Sequence, residues 1–218
     1  MRKNYVIYGD SAFAERLCLY ILHEKKHNVV AFTNDDNYIS RTSILEIPVI
    51  PFSLFLAKMK DDCELIIAYG YTNMNNLREK IYNECLNAGC RIGSYISEKA
   101  LIYSNHIEEG NIILPGVVIG PNTIIGKCNY FASSVVVSHD SKIGDFNFFS
   151  TNVVMGGYSN IGNHCFLGLH SSVKNGITMA DYTFLGQSCN MLQDSVLGGG
   201  YIGNPARLLE KKSIELKI

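Results

Sequence analysis

The sequence predicts a small parallel α/β domain over residues 1–90 followed by a parallel β-helix over 91–218, and three patterns carry that expectation. The first ninety residues alternate strand and helix signals; an apolar residue then returns at every sixth position from Ile107 to Leu197; and small residues and glycines keep fixed phases within that period.

In the first part, Tyr5-Val6-Ile7-Tyr8 is a short apolar strand, and Gly9-Asp10-Ser11-Ala12-Phe13 leads into a helical run through Leu17, Cys18, Ile21 and Leu22. Asn28 to Phe32 reads as a second strand ending in Asp35 and Asp36, and Ile47 to Ile50 as a third. A helix over Pro51 to Lys60 places proline near its start. Leu65 to Tyr69 is a fourth strand, followed by Gly70, and Asn73 to Ala88 a helix closed by Gly89. Such alternation makes a parallel sheet whose ligands sit beyond the carboxyl ends of the strands. There the Gly9 to Phe13 loop can present N–H groups to phosphate, while Asp35 and Asp36 can accept from ribose hydroxyls; Gly70 is counted with them. The GxGxxG fingerprint is absent, only Gly9 remaining, and Asp10 would repel a nearby diphosphate. Gly9 therefore reads equally as a plain strand-to-helix turn.

In the second part the recurring apolar positions run Ile107, Ile113, Ile119, Ile125, Phe131, Val137, Ile143, Phe149, Met155, Ile161, Leu167, Val173, Met179, Leu185, Met191 and Leu197. At roughly 100° per residue, every sixth side chain of an α-helix turns about 240°, so the stripe would scatter. Six is a multiple of the strand period of two, and short strands joined by tight glycine-assisted corners keep one residue type inward. Small residues such as Thr123, Ser141, Ser159, Cys165 and Cys189 stand two places before the next apolar one, and glycine often follows it, as at Gly120, Gly144, Gly168 and Gly186. Gly198-Gly199-Gly200 breaks the rhythm.

At 47% apolar content the chain can bury a large core, and a net charge of -1 gives no electrostatic reason to expect nucleic acid or an anionic membrane as partner. No apolar run approaches a membrane span and the start lacks a signal-peptide core, so a cytoplasmic protein is expected. The seven cysteines form no CxxC pair; Cys165 and Cys189 read as core thiols.

Over Ser138-His139-Asp140-Ser141-Lys142-Ile143-Gly144-Asp145, over Asn163 to Gly168, and at the exit segment Gly203-Asn204-Pro205-Ala206-Arg207, the chain resembles hexapeptide-repeat sugar acetyltransferases of the sialic acid O-acetyltransferase and bacillosamine-type N-acetyltransferase family. That resemblance implies a Rossmann-like first domain, a left-handed β-helix with about 18 residues per coil, a homotrimer with its site between subunits, and acetyl-CoA as co-substrate without a metal. It implies His139 as general base with Asp140 beside it, and coenzyme A along Phe148, Gly168, Leu169, Gly186 and Gln187. The chain departs from its relatives in the glycine-poor first loop, in Ala132 where an asparagine is common, and in Phe148 where some carry a second histidine.

The chemistry asks for such a pair. An amine or hydroxyl attacking a thioester must lose a proton; imidazole titrates near neutrality, and a neighbouring carboxylate orients it. His139 stands at a non-core phase, where it reads as this base or as a solvated histidine. One coil on lies Gly157, within the repeat's adjacent pair Gly156-Gly157, either a tight corner or an N–H donor to a developing oxyanion. The expected activity is acetyl transfer to the amine of a nucleotide-linked 4-amino-4,6-dideoxy sugar for surface polysaccharide or glycan synthesis, the alternative being a sugar hydroxyl. Metal-dependent hydration by His139, His164 and His170 fits poorly, because His139 has a different phase from the other two.

Overall fold

The computed structural model describes residues 2–204 and 207–216. Pro205 and Ala206 of the exit segment lie outside the described residues.

β1 (Asn4–Tyr8), α1 (Ala12–Glu24), β2 (Asn28–Asn34), β3 (Ser43–Ile44), β4 (Ile47–Pro51), α2 (Phe52–Lys58), β5 (Glu64–Ile67) and α3 (Asn76–Asn87) make up the first part. The sheet order is β3-β4-β2-β1-β5, parallel except for β3, a short hairpin arm on β4 absent from the sequence reading. Alternation along β1 divides the core. Tyr5 and Ile7 pack with Leu17, Cys18 and Ile21 of α1; Val6 and Tyr8 pack with Phe55 of α2 and Ile81, Tyr82 and Cys85 of α3. Helices thus cover both faces. The last helix starts at Asn76 rather than Asn73, because Asn73, Met74 and Asn75 all take left-handed φ (53°, 49° and 65°) in the turn before it.

From Tyr95 onward short strands stack into three sheets, parallel except for Arg207–Leu208, which pairs antiparallel with Gly200–Ile202. Face one holds Ile112–Ile113, Tyr130–Phe131, Phe148–Phe149, Phe166–Leu167 and Phe184–Leu185; face two holds Val118–Ile119, Val136–Val137, Val154–Met155 and Ser172–Val173; face three holds Ile124–Ile125, Lys142–Ile143, Asn160–Ile161 and Thr178–Met179. Within these runs partners are 18 residues apart, as in Phe148↔Phe166, so each turn of the coil is three hexads. The recurring apolar residues form one continuous interior from Ile113 to Met191.

Leu197 does not join that interior. It is 71% exposed, because the last coil is shortened: Phe184 pairs with Gly200, sixteen residues on, and Tyr201 takes the inward place beside Leu185. The glycines also differ from expectation. Corner residues with left-handed φ include Asn122, Asp140, Tyr158 and His164, whereas Gly144 has ordinary φ and is needed for space, its Cβ position lying 2.7 Å from Gly162 O in the next coil. Asparagine was the inward polar residue that sequence reading passed over. Asn111, Asn129 and Asn147 are buried in one column, the Oδ1 of each accepting the N–H of the residue one coil above, at 2.7 to 2.9 Å.

The two parts share their cores. Tyr95, Ile112 and Leu114 pack under the α1 side of the sheet, and Cys128 and Phe146 under the α3 side. Arg78 of α3 is fully buried without a carboxylate partner among the described residues; its Nη2 donates to Asn75 Oδ1 (3.0 Å), Phe146 O (3.1 Å) and Asn147 O (2.9 Å), fastening the small sheet to the coil.

Candidate active site

After Val137 turns inward, the chain rounds the corner between faces two and three, and His139 points outward with its side chain 50% exposed. Its Nδ1 lies 2.7 Å from Asp140 Oδ2. The other carboxylate oxygen, Oδ1, accepts from Asn122 Nδ2 at 3.1 Å, one coil below. The hydrogen bond from His139, then that from Asn122, holds the Asp140 carboxyl below the usual carboxylate range. An ionised Asp140 accepts a hydrogen bond from Nδ1–H, which leaves the lone pair of the neutral ring on Nε2.

That nitrogen lies over the next coil at Gly157, where a Cβ would stand 2.8 Å from His139 Cε1 and 2.9 Å from Nε2. Only glycine leaves room for the ring. Tyr158 follows, its ring edge-on to the imidazole at 5.2 Å and 89°, and its N–H donates to His139 O at 3.1 Å. Gly157 is buried beneath the imidazole, and its N–H makes no hydrogen bond among the described residues. Asn122 and Tyr158 were missed in the sequence; each stands one 18-residue coil from Asp140.

A second feature is a groove of about 560 Å³ between face one and the small domain. Its floor is a ladder of stacked rings, Tyr130, Phe148, Phe166 and Phe184, with centroids 4.6 to 5.6 Å apart. Tyr71 stands edge-on against Phe148 and Phe166, and Phe13 of α1 leans on Tyr130. Four residues expected on the coenzyme, Phe148, Gly168, Leu169 and Gln187, line this groove, joined by Ser150 and Thr151. Gly186 does not line it, because its Cβ position is backed by Ile202 and Cys189 of the chain's own last coil. The ladder was legible as outward aromatics at 18-residue spacing, but only Phe148 was singled out.

The residues expected on the nucleotide gather at the carboxyl edge of the small sheet. Gly9 has φ +127° and a Cβ there would meet Ala68 O at 2.9 Å, so the turn itself demands glycine. Ala12 opens α1, and Ser11 Oγ caps it by accepting the Phe13 N–H at 3.3 Å. Asp10 is 9% exposed and its carboxylate is occupied within the protein, accepting from Asn34 Nδ2 (2.9 Å), Ser40 N–H (3.0 Å) and Ser40 Oγ (2.7 Å). Burial pushes the Asp10 carboxyl up, but the hydrogen bonds from Ser40 and Asn34 outweigh it and hold it low. Asp36 accepts from Ser53 N–H at the start of α2, Asp35 from Asn37 N–H, and Gly70 has open space where a side chain would be.

Phe13 joins this edge to the groove, but His139 stands apart from both. The groove reaches the corner between faces one and two through Gly168 and Leu169, whereas His139 and Gly157 occupy the corner between faces two and three. One side of the prism, up to about 20 Å of extended hexad, separates them within a chain. Among the described residues no group of three or more His, Cys, Asp or Glu is placed to hold a metal ion, and no helix is long and apolar enough to cross a membrane.

Neither a protein-family model nor a curated protein matches the sequence. Solved structures do share the fold. A histidine-to-alanine mutant of GDP-perosamine N-acetyltransferase from Caulobacter crescentus, in complex with CoA and GDP-perosamine, has a TM-score of 0.85 at 23% identity, over 95% of this chain and 97% of that one. The acetyltransferase domain of PglB from Neisseria gonorrhoeae with acetyl coenzyme A gives 0.85 at 17% identity, over 96% and 100%. WeeI from Acinetobacter baumannii gives 0.83 at 22% identity, over 95% and 100%.

Proposed function

We propose that this chain is an acetyl-CoA-dependent N-acetyltransferase acting on the amine of a nucleotide-linked amino-sugar, with His139 as general base. The observation that carries the reading is the His139–Asp140 pair, its Nε2 set over Gly157 on a corner of the coil. The fold-mates solved with CoA and GDP-perosamine, or with acetyl coenzyme A, support the same choice of substrates. Domain limits near residues 90 and 91, a Rossmann-like small domain, a left-handed coil and a cytoplasmic setting belong to this reading.

In the proposed reaction His139 Nε2 takes the proton from the amine as its nitrogen attacks the thioester carbonyl, while Asp140 stabilises the imidazolium through Nδ1–H. The Gly157 N–H donates to the carbonyl oxygen as it becomes negative. When the tetrahedral adduct collapses, the C–S bond breaks and the His139 proton passes to the departing thiolate, leaving amide and free thiol. The groove lined by Phe148, Gly168, Leu169 and Gln187 takes the thin pantetheine arm, and the Gly9 to Phe13 edge takes the nucleotide. Because groove and base stand on different corners of one chain, a homotrimer brings the His139 corner of one subunit to the groove of the next.

The test is thiol release from acetyl-CoA with a panel of nucleotide-linked 4-amino-6-deoxy sugars. His139→Ala should lower turnover by about two to four decades with acetyl-CoA binding little changed. Light scattering should give three times 24.3 kDa. Turnover only with free sugars, and no thermal stabilisation by UDP, GDP or dTDP, would replace the amine acceptor by a hydroxyl.

A further inference from the structure

Arg16 lies outside every residue set that the sequence motifs single out. It is exposed on α1, one turn beyond Ala12, and it lines the aromatic groove. Among the thirteen residues lining that groove it is the only Lys, Arg, His, Asp or Glu, so the groove carries one positive charge and no carboxylate to balance it. No ion pair or hydrogen bond engages the guanidinium among the described residues, and the adjacent acid, Glu15, is already paired with Arg41 at 3.0 Å. Arg16 also lines the two cavities that continue the groove along α1: one of about 190 Å³ beside Leu17 and Tyr20, and one of about 590 Å³ beside His23, Lys99 and Glu24, whose carboxylate accepts from Ser97 Oγ. Arg16 therefore borders all three spaces.

An unpaired guanidinium at an aromatic groove selects an anion, and its planar fork of donors matches phosphate oxygens two at a time. The loop at the sheet edge is poorly equipped for that task. It keeps a single glycine, and the Asp10 carboxylate adds negative charge at its base. We propose that Arg16 is the phosphate anchor of this groove, holding the diphosphate or phosphate ester of a bound ligand against the Tyr130–Phe148 end of the ring ladder. The chemistry has two sources in the transferase reading, the diphosphate of the nucleotide-sugar and the phosphates of coenzyme A; the proposal rests on that reading only for these candidates.

The experiment is calorimetric binding to the full-length protein, with UDP, GDP, dTDP, inorganic pyrophosphate, coenzyme A, 3′-dephospho-coenzyme A and phosphate-free pantetheine as probes. Wild type, Arg16→Gln and Arg16→Lys are compared, with melting curves to show that all three are folded. Loss of a charge-assisted phosphate contact predicts a roughly 10- to 100-fold weaker Kd in Arg16→Gln, partial recovery in Arg16→Lys, and no change for pantetheine. A loss confined to nucleotides and pyrophosphate identifies the nucleotide diphosphate. A loss confined to coenzyme A identifies the co-substrate, and its 3′-dephospho form tells which phosphate is held. Unchanged affinity for every phosphate probe in folded Arg16→Gln, equal weakening for pantetheine, or no binding of any probe to wild type would overturn the anchor. Because binding is read rather than turnover, a chain that releases no thiol yet shows Arg16-dependent phosphate binding would reject the transferase reading and keep the anchor.

Discussion

Replacing Gly157 by alanine isolates the relation between the imidazole and the coil above it. The new methyl would stand 2.8 Å from His139 Cε1 and 2.9 Å from Nε2, against an ordinary carbon contact of about 3.5 Å, so the ring must retreat by about 0.7 Å. The retreat is cheap for the fold. The His139 side chain is half exposed and can swing outward at the expense of its Asp140 contact, the backbone contact of the new methyl to His139 O is 3.2 Å, and Gly157 is not among the residues with left-handed φ. Alanine also restricts the unfolded chain by about 0.4–1 kcal/mol, so stability should stay within about 1 kcal/mol of wild type. Catalysis should suffer far more, since a displacement of about 1 Å at a reacting group costs on the order of 10²-fold. The backbone N–H survives in the variant, so the loss reports on the ring and not on the oxyanion donor. Thiol release under saturating acetyl-CoA should therefore fall about 30- to 100-fold while the melting curve barely moves, and Gly157→Ala should add nothing in a His139→Ala background. Turnover within threefold of wild type, or a further loss on top of His139→Ala, would refute the idea that Gly157 acts by making room for the imidazole.

Arg78→Ala should cost about 3 kcal/mol in chemical denaturation, because it empties a buried volume and leaves Phe146 O without a donor; Arg78→Met, which refills the space, should cost less. Equal losses would show that the charge rather than the volume matters at the junction. His164 is buried between Phe146 and Tyr182, and burial lowers its pKa more than the nearby Glu79 raises it. The native state therefore binds fewer protons there than the unfolded chain, so this contribution is full above the ordinary value of about 6.5 and is lost as pH falls below it. Stability between pH 7 and 5 should accordingly drop more steeply in wild type than in His164→Phe, and parallel curves would exclude His164 as the group responsible. Mixing subunits of His139→Ala with a groove-blocked Leu169→Trp chain should restore about a quarter of wild-type turnover if base and groove come from neighbouring subunits at random; no recovery in verified mixed trimers would reject the shared site.

Most of the coil was legible because a β-helix repeats its environment every 18 residues, so that Ile113, Phe131, Phe149 and Leu167 occupy one inward column and declare it by chemistry alone. The exceptions have local causes. Leu197 kept the rhythm in sequence, but the three glycines after it let the chain cut short its last coil, and register is a property of pairing that a hydrophobic count does not contain. The asparagine column escaped because buried amides look polar in sequence; only the coil supplies the N–H that each one accepts. Asp10 was readable as an acid in a phosphate-type loop, but its engagement by Ser40 depends on a loop thirty residues away. The pairing of His139 with Asp140 was readable as adjacent residues, whereas the groove was not, since Phe13, Tyr71 and Tyr130 meet only when the α/β sheet packs on the coil.

The surface between the two half-sites bears on why they are apart. Face two separates the groove corner from the His139 corner, and its outward positions in the first four coils are Leu101, Val118, Val136 and Val154. Leu101 is 55% and Val154 46% exposed, a continuous apolar stripe along the prism. The outward positions of face three, by contrast, include His106, Lys142, Asn160 and Thr178. Exposed strands of a soluble coil ordinarily alternate apolar inside with polar outside, as face three largely does. Face two breaks that alternation along the side that a second chain would cover if, as proposed, it carries its His139 corner to this groove. The same packing would exclude water from the thioester and strengthen the short Asp140–His139 contact, which in the isolated chain faces solvent on one side. In the proposed homotrimer the separation of groove and base and the apolarity of face two would be one feature: association would bury the stripe, and burying the stripe would assemble the site.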